Sequence, residues 1–310
     1  METFSLRDTV GNYLVTLAKR DRRVTAVTAD AVSTCRLKTF ENTFPERLFN
    51  VGISEQSMIG FAAGLANEGF IPFTFSMAPF TSMRACEQCR TDIAYGNKKV
   101  RMVTAYAGVS GGVSGATHWA LEDCGIMCSI PNITVIEPSD PVQAERLMDA
   151  SLTYSGPIYL RCSVETVPGI YSPETSFEIG KASIAREGDD GAIICSGIAV
   201  KYATEASDIF KRETGKCIRV VDMHTIKPID KEAVIRAAQT GTVIVVQDHN
   251  VIGGLGSRVA EGIVSESMPV NFRTLGIPDS FFVMAHAPYL YRKFEIDTEG
   301  ILKNLREMLP

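Results

Sequence analysis

The stretch Leu48-Phe49-Asn50-Val51, Gly52-Ile53-Ser54-Glu55-Gln56, Ser57-Met58-Ile59-Gly60-Phe61-Ala62-Ala63-Gly64-Leu65-Ala66-Asn67-Glu68 and Ile71-Pro72-Phe73-Thr74-Phe75 decides the fold. It reads as a short apolar strand, a turn, a helix of small residues from Ser57 to Glu68, and a second β-rich run. A helix of that length between two strands makes a crossover, which leaves the strands parallel. The same alternation extends in both directions. Upstream, Leu6 to Lys19 carries apolar residues at helical spacing and Val24 to Ala29 is a strand ending at Asp30. Downstream come a helix from Thr81 to Tyr95, a strand from Val100 to Ala105 and a glycine-rich loop from Gly108 to Gly115. A helix from His118 to Cys128, a strand at Thr134 to Ile136, a helix from Pro141 to Ser155 and a strand from Ile158 to Cys162 complete the series. Such alternation predicts a doubly wound α/β sheet.

The pattern breaks between Ser163 and Gly180 into Pro168-Gly169, Ser172-Pro173 and Thr175-Ser176, the turn chemistry of a linker. A shorter α/β series follows: strands at Gly191 to Cys195, Ile218 to Asp222 and Thr242 to Gln247, with helices at Val200 to Thr214, Lys231 to Ala238, Gly256 to Ser265 and around Thr298 to Met308. The expectation is two doubly wound α/β domains, residues 1–165 with a mainly parallel sheet and residues 185–310 smaller, joined by a linker at 166–184.

Composition removes several classes. Across 310 residues, 31 Lys+Arg against 36 Asp+Glu give a net charge of −5, which disfavours a protein built to grip nucleic-acid backbones. The 45% hydrophobic and 22% charged fractions suit packed domains rather than disorder or coiled coil. No apolar run approaches the roughly 18 residues of a membrane helix, and charges in Met1 to Asp8 stand where a signal peptide would be apolar, so a cytoplasmic protein with no membrane partner is expected. Of the eight cysteines only Cys86 and Cys89 have C-x-x-C spacing, and they fall mid-helix with no second pair to complete a zinc site. They read as packed thiols, and no metal ligand set is predicted in this chain.

Ligands on open parallel sheets bind beyond the carboxyl ends of the strands. Four loops there carry chemistry. Glu55 opens a helix after the strand at 48–51, a position where a carboxylate also complements the helix dipole. Phe75 and Phe80 belong to the cluster Phe73-Thr74-Phe75-Ser76-Met77-Ala78-Pro79-Phe80, in which an exposed ring could stack a heterocycle. In Gly108-Val109-Ser110-Gly111-Gly112-Val113-Ser114-Gly115-Ala116-Thr117-His118-Trp119 the glycines permit close backbone approach, and Thr117 and His118 are expected at a helix mouth that favours neutral imidazole for acid/base work. The fourth, Asp248-His249-Asn250 to Gly253-Gly254-Leu255-Gly256-Ser257, departs from the dinucleotide fingerprint and reads better as a subunit-contact loop.

Taken in order, these segments resemble the transketolase family, over its pyrimidine-binding and C-terminal domains. The resemblance rests on Asn50-Val51-Gly52-Ile53-Ser54-Glu55-Gln56, on Gly115-Ala116-Thr117-His118 with Glu122-Asp123, and on Val220-Val221-Asp222-Met223, Lys227-Pro228-Ile229-Asp230 and Asp248-His249-Asn250. It implies a thiamine diphosphate enzyme in which Glu55 binds N1′ of the aminopyrimidine and shares its proton, so that the cofactor can be deprotonated and carry the carbanion chemistry. Phe80, or else Phe75, would stack on the pyrimidine; the spacing from Phe80 to Arg84 and Gln88 fits the family pattern with a one-residue shift. His118 would bind the substrate oxygen and shuttle protons. Asp30 matches an acidic residue near the cofactor. Arg161 would hold a phosphate or sulfonate on the substrate, with Thr34 and Lys38 as weaker candidates. Tyr106 and Ser114 stand where many transketolases have His and Asp, which points to an altered sugar substrate.

The family binds diphosphate and Mg2+ (or Ca2+/Mn2+) in a further domain marked by Gly-Asp-Gly and a later Asn. That pair is missing here; Gly188-Asp189-Asp190-Gly191 lies in the second domain without the Asn. The resemblance therefore implies the C-terminal subunit of a split transketolase, moving a two-carbon ketol group between an anionic ketose and an aldose, with an N-terminal partner subunit supplying diphosphate and metal binding and two copies of this chain in a heterotetramer. The beta subunit of a 2-oxo acid dehydrogenase, a deoxyxylulose-phosphate-synthase-like enzyme and a non-catalytic structural subunit are the alternatives.

Overall fold

The computed structural model describes residues 3–310 and contains two α/β units. The first sheet has seven strands in the spatial order Thr225–Lys227, Thr134–Ile136, Ile158–Arg161, Arg101–Ala105, Ile71–Met77, Val24–Thr28, Leu48–Asn50. All neighbours run parallel except Thr225–Lys227, which adds antiparallel to Thr134–Ile136. The strands Val24–Thr28 and Arg101–Ala105 are buried at every residue, as expected where helices cover both faces of a parallel sheet. The second sheet runs Asn271–Ile277, Thr242–Asn250, Gly191–Cys195, Ile218–Asp222, Ser183–Arg186, parallel but for the last.

The chain is thus mixed α/β with two parallel-dominated sheets, as its alternating pattern implies. Caps account for several helix starts: Ser5 Oγ accepts from Asp8 N at 3.3 Å before Leu6–Arg20, and Asp140 accepts from Gln143 N at 2.7 Å before Pro141–Thr153. Two strand pairings depart from the sequence expectation. Thr225–Lys227, from the second half of the chain, closes an edge of the first sheet, and Thr3–Ser5 pairs antiparallel with Thr166–Pro168 inside the expected linker.

The segment expected as one helix from Thr81 to Tyr95 is two wide π-helical pieces, Phe80–Arg84 and Cys89–Ala94, around a short α-turn at Cys86–Gln88. Ala85 N donates to Phe80 O at 3.2 Å, the five-residue reach that lets a helix hold one extra residue. The one-residue shift between Phe80 and Arg84 falls in that turn. Cys89 is buried and Cys86 half-buried, both as free thiols. Among the described residues, no helix is long and apolar enough to cross a membrane.

Candidate active site

Four chain segments leave the carboxyl ends of the first sheet together. Thr28 and Asn50 are register partners, and beyond them Asp30 and Asn50 bond reciprocally: Asp30 N donates to Asn50 Oδ1 at 3.0 Å and Asn50 Nδ2 donates to Asp30 Oδ1 at 3.2 Å. Asn50 Oδ1 also accepts from Gly52 N at 3.1 Å, which shapes the turn leading to Glu55. Asp30 itself sits at φ +57°, a left-handed conformation that costs a side-chain-bearing residue about 1 kcal/mol. It is exposed and lines a polar cleft of about 710 Å³ with Ser33, Arg36, Lys38 and Asn50.

Glu55 is the first residue of the helix Glu55–Asn67, where the free N–H groups favour a carboxylate, yet it is only 3% exposed. A buried carboxylate needs a partner. Arg84 supplies it: its Nη1 donates to Glu55 Oε2 at 2.7 Å, and its guanidinium lies over the Phe80 ring, 4.1 Å from the centroid. Phe80 in turn meets the His118 ring edge-on, with centroids 5.3 Å apart, and Tyr106 flanks His118 at 6.2 Å. Glu55, Arg84, Phe80, His118 and Tyr106 therefore form one continuous cluster from three separate loops.

A planar cation with N–H donors already satisfies both the Glu55 carboxylate and the Phe80 face. The pair is thus suited to a flat nitrogen heterocycle that donates to one and stacks on the other. Phe75, the other candidate for stacking, is 1% exposed within the buried apolar cluster that also holds Val10 and Val103, so its ring is not open to a ligand from the surface.

His118 does not stand at a helix mouth. The helix begins only at Asp123, because Trp119 and Ala120 are used elsewhere: Gly108 N and Ala120 N each donate to the other's carbonyl at 3.1 and 3.0 Å, and Trp119 Nε1 donates to Gly112 O at 3.0 Å. Thr117 Oγ1 is hydrogen-bonded to His118 Nδ1 at 2.8 Å, which leaves Nε2 as the nitrogen available for another partner.

Arg161 departs most from its expected role. It is fully buried, with Nε on Asp123 Oδ2 at 2.8 Å, Nη1 on Glu137 Oε1, and Nη2 on the carbonyls of Ala120 at 3.0 Å and Asp248 at 2.8 Å. Its fork is filled by the protein and has no donor face for a substrate anion. Lys38 is exposed and paired with Glu41, and Thr34 offers its carbonyl to Arg7 Nη1 at 3.1 Å.

Arg7 is the cation that sequence reasoning missed. Its guanidinium lies 5.8 Å from the Tyr106 ring centroid, and its buried Nε has no hydrogen-bond partner among the described residues. Only its helical spacing showed in the sequence, so nothing singled it out.

Among the described residues, Asp123, Cys124 and His249 are the one grouping close enough to share a metal ion. They are fully buried, and Asp123 is committed to the Arg161 cation at 2.8 Å, which opposes a second positive charge there. In the loop at Asp248 to Gly256, an ideal Cβ on Gly253 would lie 3.4 Å from Gly125 Cα, and Ile252 is exposed.

Residues 2–169 match the family model "Transketolase, pyrimidine binding domain", and residues 180–301 match "Transketolase, C-terminal domain". The chain belongs to the transketolase family. It is 38% identical over 309 residues to the 6-deoxy-6-sulfo-D-fructose transketolase subunit SqwH of Clostridium sp. (strain MSTE9), spanning 99% of this chain and 95% of that protein. It is 35% identical over 305 residues to an apulose-4-phosphate transketolase subunit of Phocaeicola vulgatus, spanning 98% and 97%. The solved structure "Split gene transketolase, inactive beta4 tetramer" superposes with a TM-score of 0.88 at 33% identity, covering 99% of each chain. This transketolase-family chain therefore has the extent of a split transketolase subunit.

Proposed function

We propose that this chain is the C-terminal subunit of a two-component transketolase that moves a two-carbon ketol group from an anionic ketose to an aldose, using thiamine diphosphate. The observation that carries the reading is the Glu55–Arg84–Phe80–His118 cluster, a buried carboxylate and a half-buried aromatic ring bridged by a planar cation whose place a flat heterocycle could take, with an imidazole at the ring's edge. Thiamine diphosphate, when bound, supplies the carbanion chemistry that amino-acid side chains lack.

The chain's own residues do the rest. Glu55 accepts and returns a proton at N1′ of the aminopyrimidine, and its burial keeps water from competing for that proton. Phe80 stacks on the ring and fixes its plane. Asp30, tied to Asn50, shapes the turn that presents Glu55 and so sits near the bound cofactor. His118, held through Nδ1, presents Nε2 to the substrate oxygen and moves a proton as that oxygen gains and loses charge.

Arg7 reads the anionic group of the ketose from beyond Tyr106, tied to the Thr34 carbonyl, with Lys38 as a further cation on the polar cleft. The sulfonate and phosphate in the two relatives' names support a tetrahedral anion on the substrate. Diphosphate and Mg2+ are held by an N-terminal partner subunit in the cytoplasm, in a heterotetramer with two copies of this chain. Residues 1–165 carry the pyrimidine site and 185–310 the second domain, across the linker at 166–184.

The test is Glu55→Gln in the reconstituted pair. Loss of turnover by at least about 100-fold with the fold intact is expected; retained turnover overturns the assignment.

A further inference from the structure

The loop that carries His118 is gripped by the second domain at three separate points. At its entry, Val109 N donates to Asp248 Oδ1 at 2.9 Å, and Tyr291 holds the other oxygen of that fully buried carboxylate at 3.0 Å. The fit leaves no slack: Gly108 has φ +59°, and a Cβ there would fall 2.0 to 2.2 Å from the Asp248 carboxylate. In the middle, Gly112 packs on the backbone of Ala285 and Ala287, with contacts of 3.5 Å to an ideal Cβ. At its exit, the Trp119 ring stacks on Phe282 at 4.5 Å with an interplanar angle of 18°. Arg161 ties the loop's exit to the second domain by donating to both Ala120 O and Asp248 O.

A glycine-rich segment has a large conformational entropy to lose, so an isolated loop of this composition would not hold a histidine in one place. Inside the loop, the Gly108–Ala120 bridge, the Trp119–Gly112 bond and short-range turn bonds such as Gly112 N to Val109 O at 2.8 Å and His118 N to Gly115 O at 2.9 Å supply part of the constraint. The remaining constraints come from residues far along the chain, as in the bond from Val109 to Asp248, 139 positions away.

We propose that Asp248 and Phe282 of the second domain are positioning residues for His118, so that this domain sets the geometry of substrate contact while cofactor binding is left to the first. The proposal rests on the role given to His118 above. Glu55 and Phe80 stand on other elements and bond to neither Asp248 nor Phe282 among the described residues, so the second domain should affect substrate handling without affecting the cofactor.

The experiment compares wild type, Asp248→Ala, Tyr291→Phe and Phe282→Ala. Amide hydrogen exchange across residues 106–120 is read on the full chain, and kcat, KM and thiamine diphosphate affinity are read on the reconstituted pair. Exchange in the loop is expected to quicken about tenfold in Asp248→Ala and Phe282→Ala, and less in Tyr291→Phe, which removes one donor. kcat/KM for the ketose should fall by a similar factor while cofactor affinity stays within about twofold.

Unchanged exchange in folded Phe282→Ala and Tyr291→Phe overturns the proposal even if Asp248→Ala does not fold. So does a parallel loss of cofactor affinity, which would signal a general structural defect. His118→Ala separates the two levels: if it keeps full turnover, the role of His118 fails, while the exchange data still decide whether the second domain holds the loop.

Discussion

Arg161→Met is the substitution on which an anion-binding role and the structure disagree most. A substrate-binding arginine at the end of a strand would, on removal, raise KM and leave stability alone. In the structure Arg161 is 0% exposed and bridges Asp123 and Glu137, both also buried, with no other Lys or Arg paired to either among the described residues. Taking it away leaves two carboxylates without a counter-charge and frees the carbonyls of Ala120 and Asp248.

Removing one partner of a buried ion pair costs about 3–5 kcal/mol because the other charge is left uncompensated. A chain with a total stability of about 5–15 kcal/mol loses a large share of it. The urea midpoint of the isolated chain should fall accordingly with the slope unchanged, and Arg161→Lys should recover only part, since an ammonium cannot fork between two acids. A loss below about 1 kcal/mol in Arg161→Met, with KM raised instead, would refute the structural role and restore the anion-binding one.

Two further outcomes follow from the same geometry. Gly108→Ala forces a methyl group into the Asp248 carboxylate at a positive φ, and chemical denaturation should register a loss of about 2 kcal/mol or more. Burial raises the Asp222 carboxyl to about 6, so the folded chain holds this proton between roughly pH 4 and 6 where the unfolded chain releases it. The Asp222 contribution to stability is thus present below about pH 4 and lost as pH rises through about 6, and Asp222→Asn should remove that part of the pH dependence of the urea midpoint.

Much of the architecture was legible because it rests on local pattern. Buried parallel strands read as continuous apolar runs, and helices such as Lys231–Ala238 announce themselves by an Asp cap and helical spacing. Glu55 and His118 stood out because a carboxylate after a strand and a histidine in a glycine-rich loop are conspicuous. What failed to show depends on distant partners.

The edge strand Thr225–Lys227 exists only because Thr134–Ile136 offers it a ladder. Arg161 looked available because the sequence cannot show that Asp123, Glu137 and two carbonyls converge on it. Arg7 looked like an ordinary helix residue because its proximity to Tyr106 spans about a hundred positions. The expected helix start at Thr117 was displaced by the bridge between Gly108 and Ala120, a tertiary contact that outweighs a local cap.

The central claim is that this chain provides only half of a cofactor site. Titration of thiamine diphosphate with Mg2+ into the chain alone, and then into the chain with its partner subunit, tests it most directly. No tight binding is expected by the chain alone, and tight, magnesium-dependent binding once the partner is present. Tight magnesium-dependent binding by the isolated chain would contradict the claim.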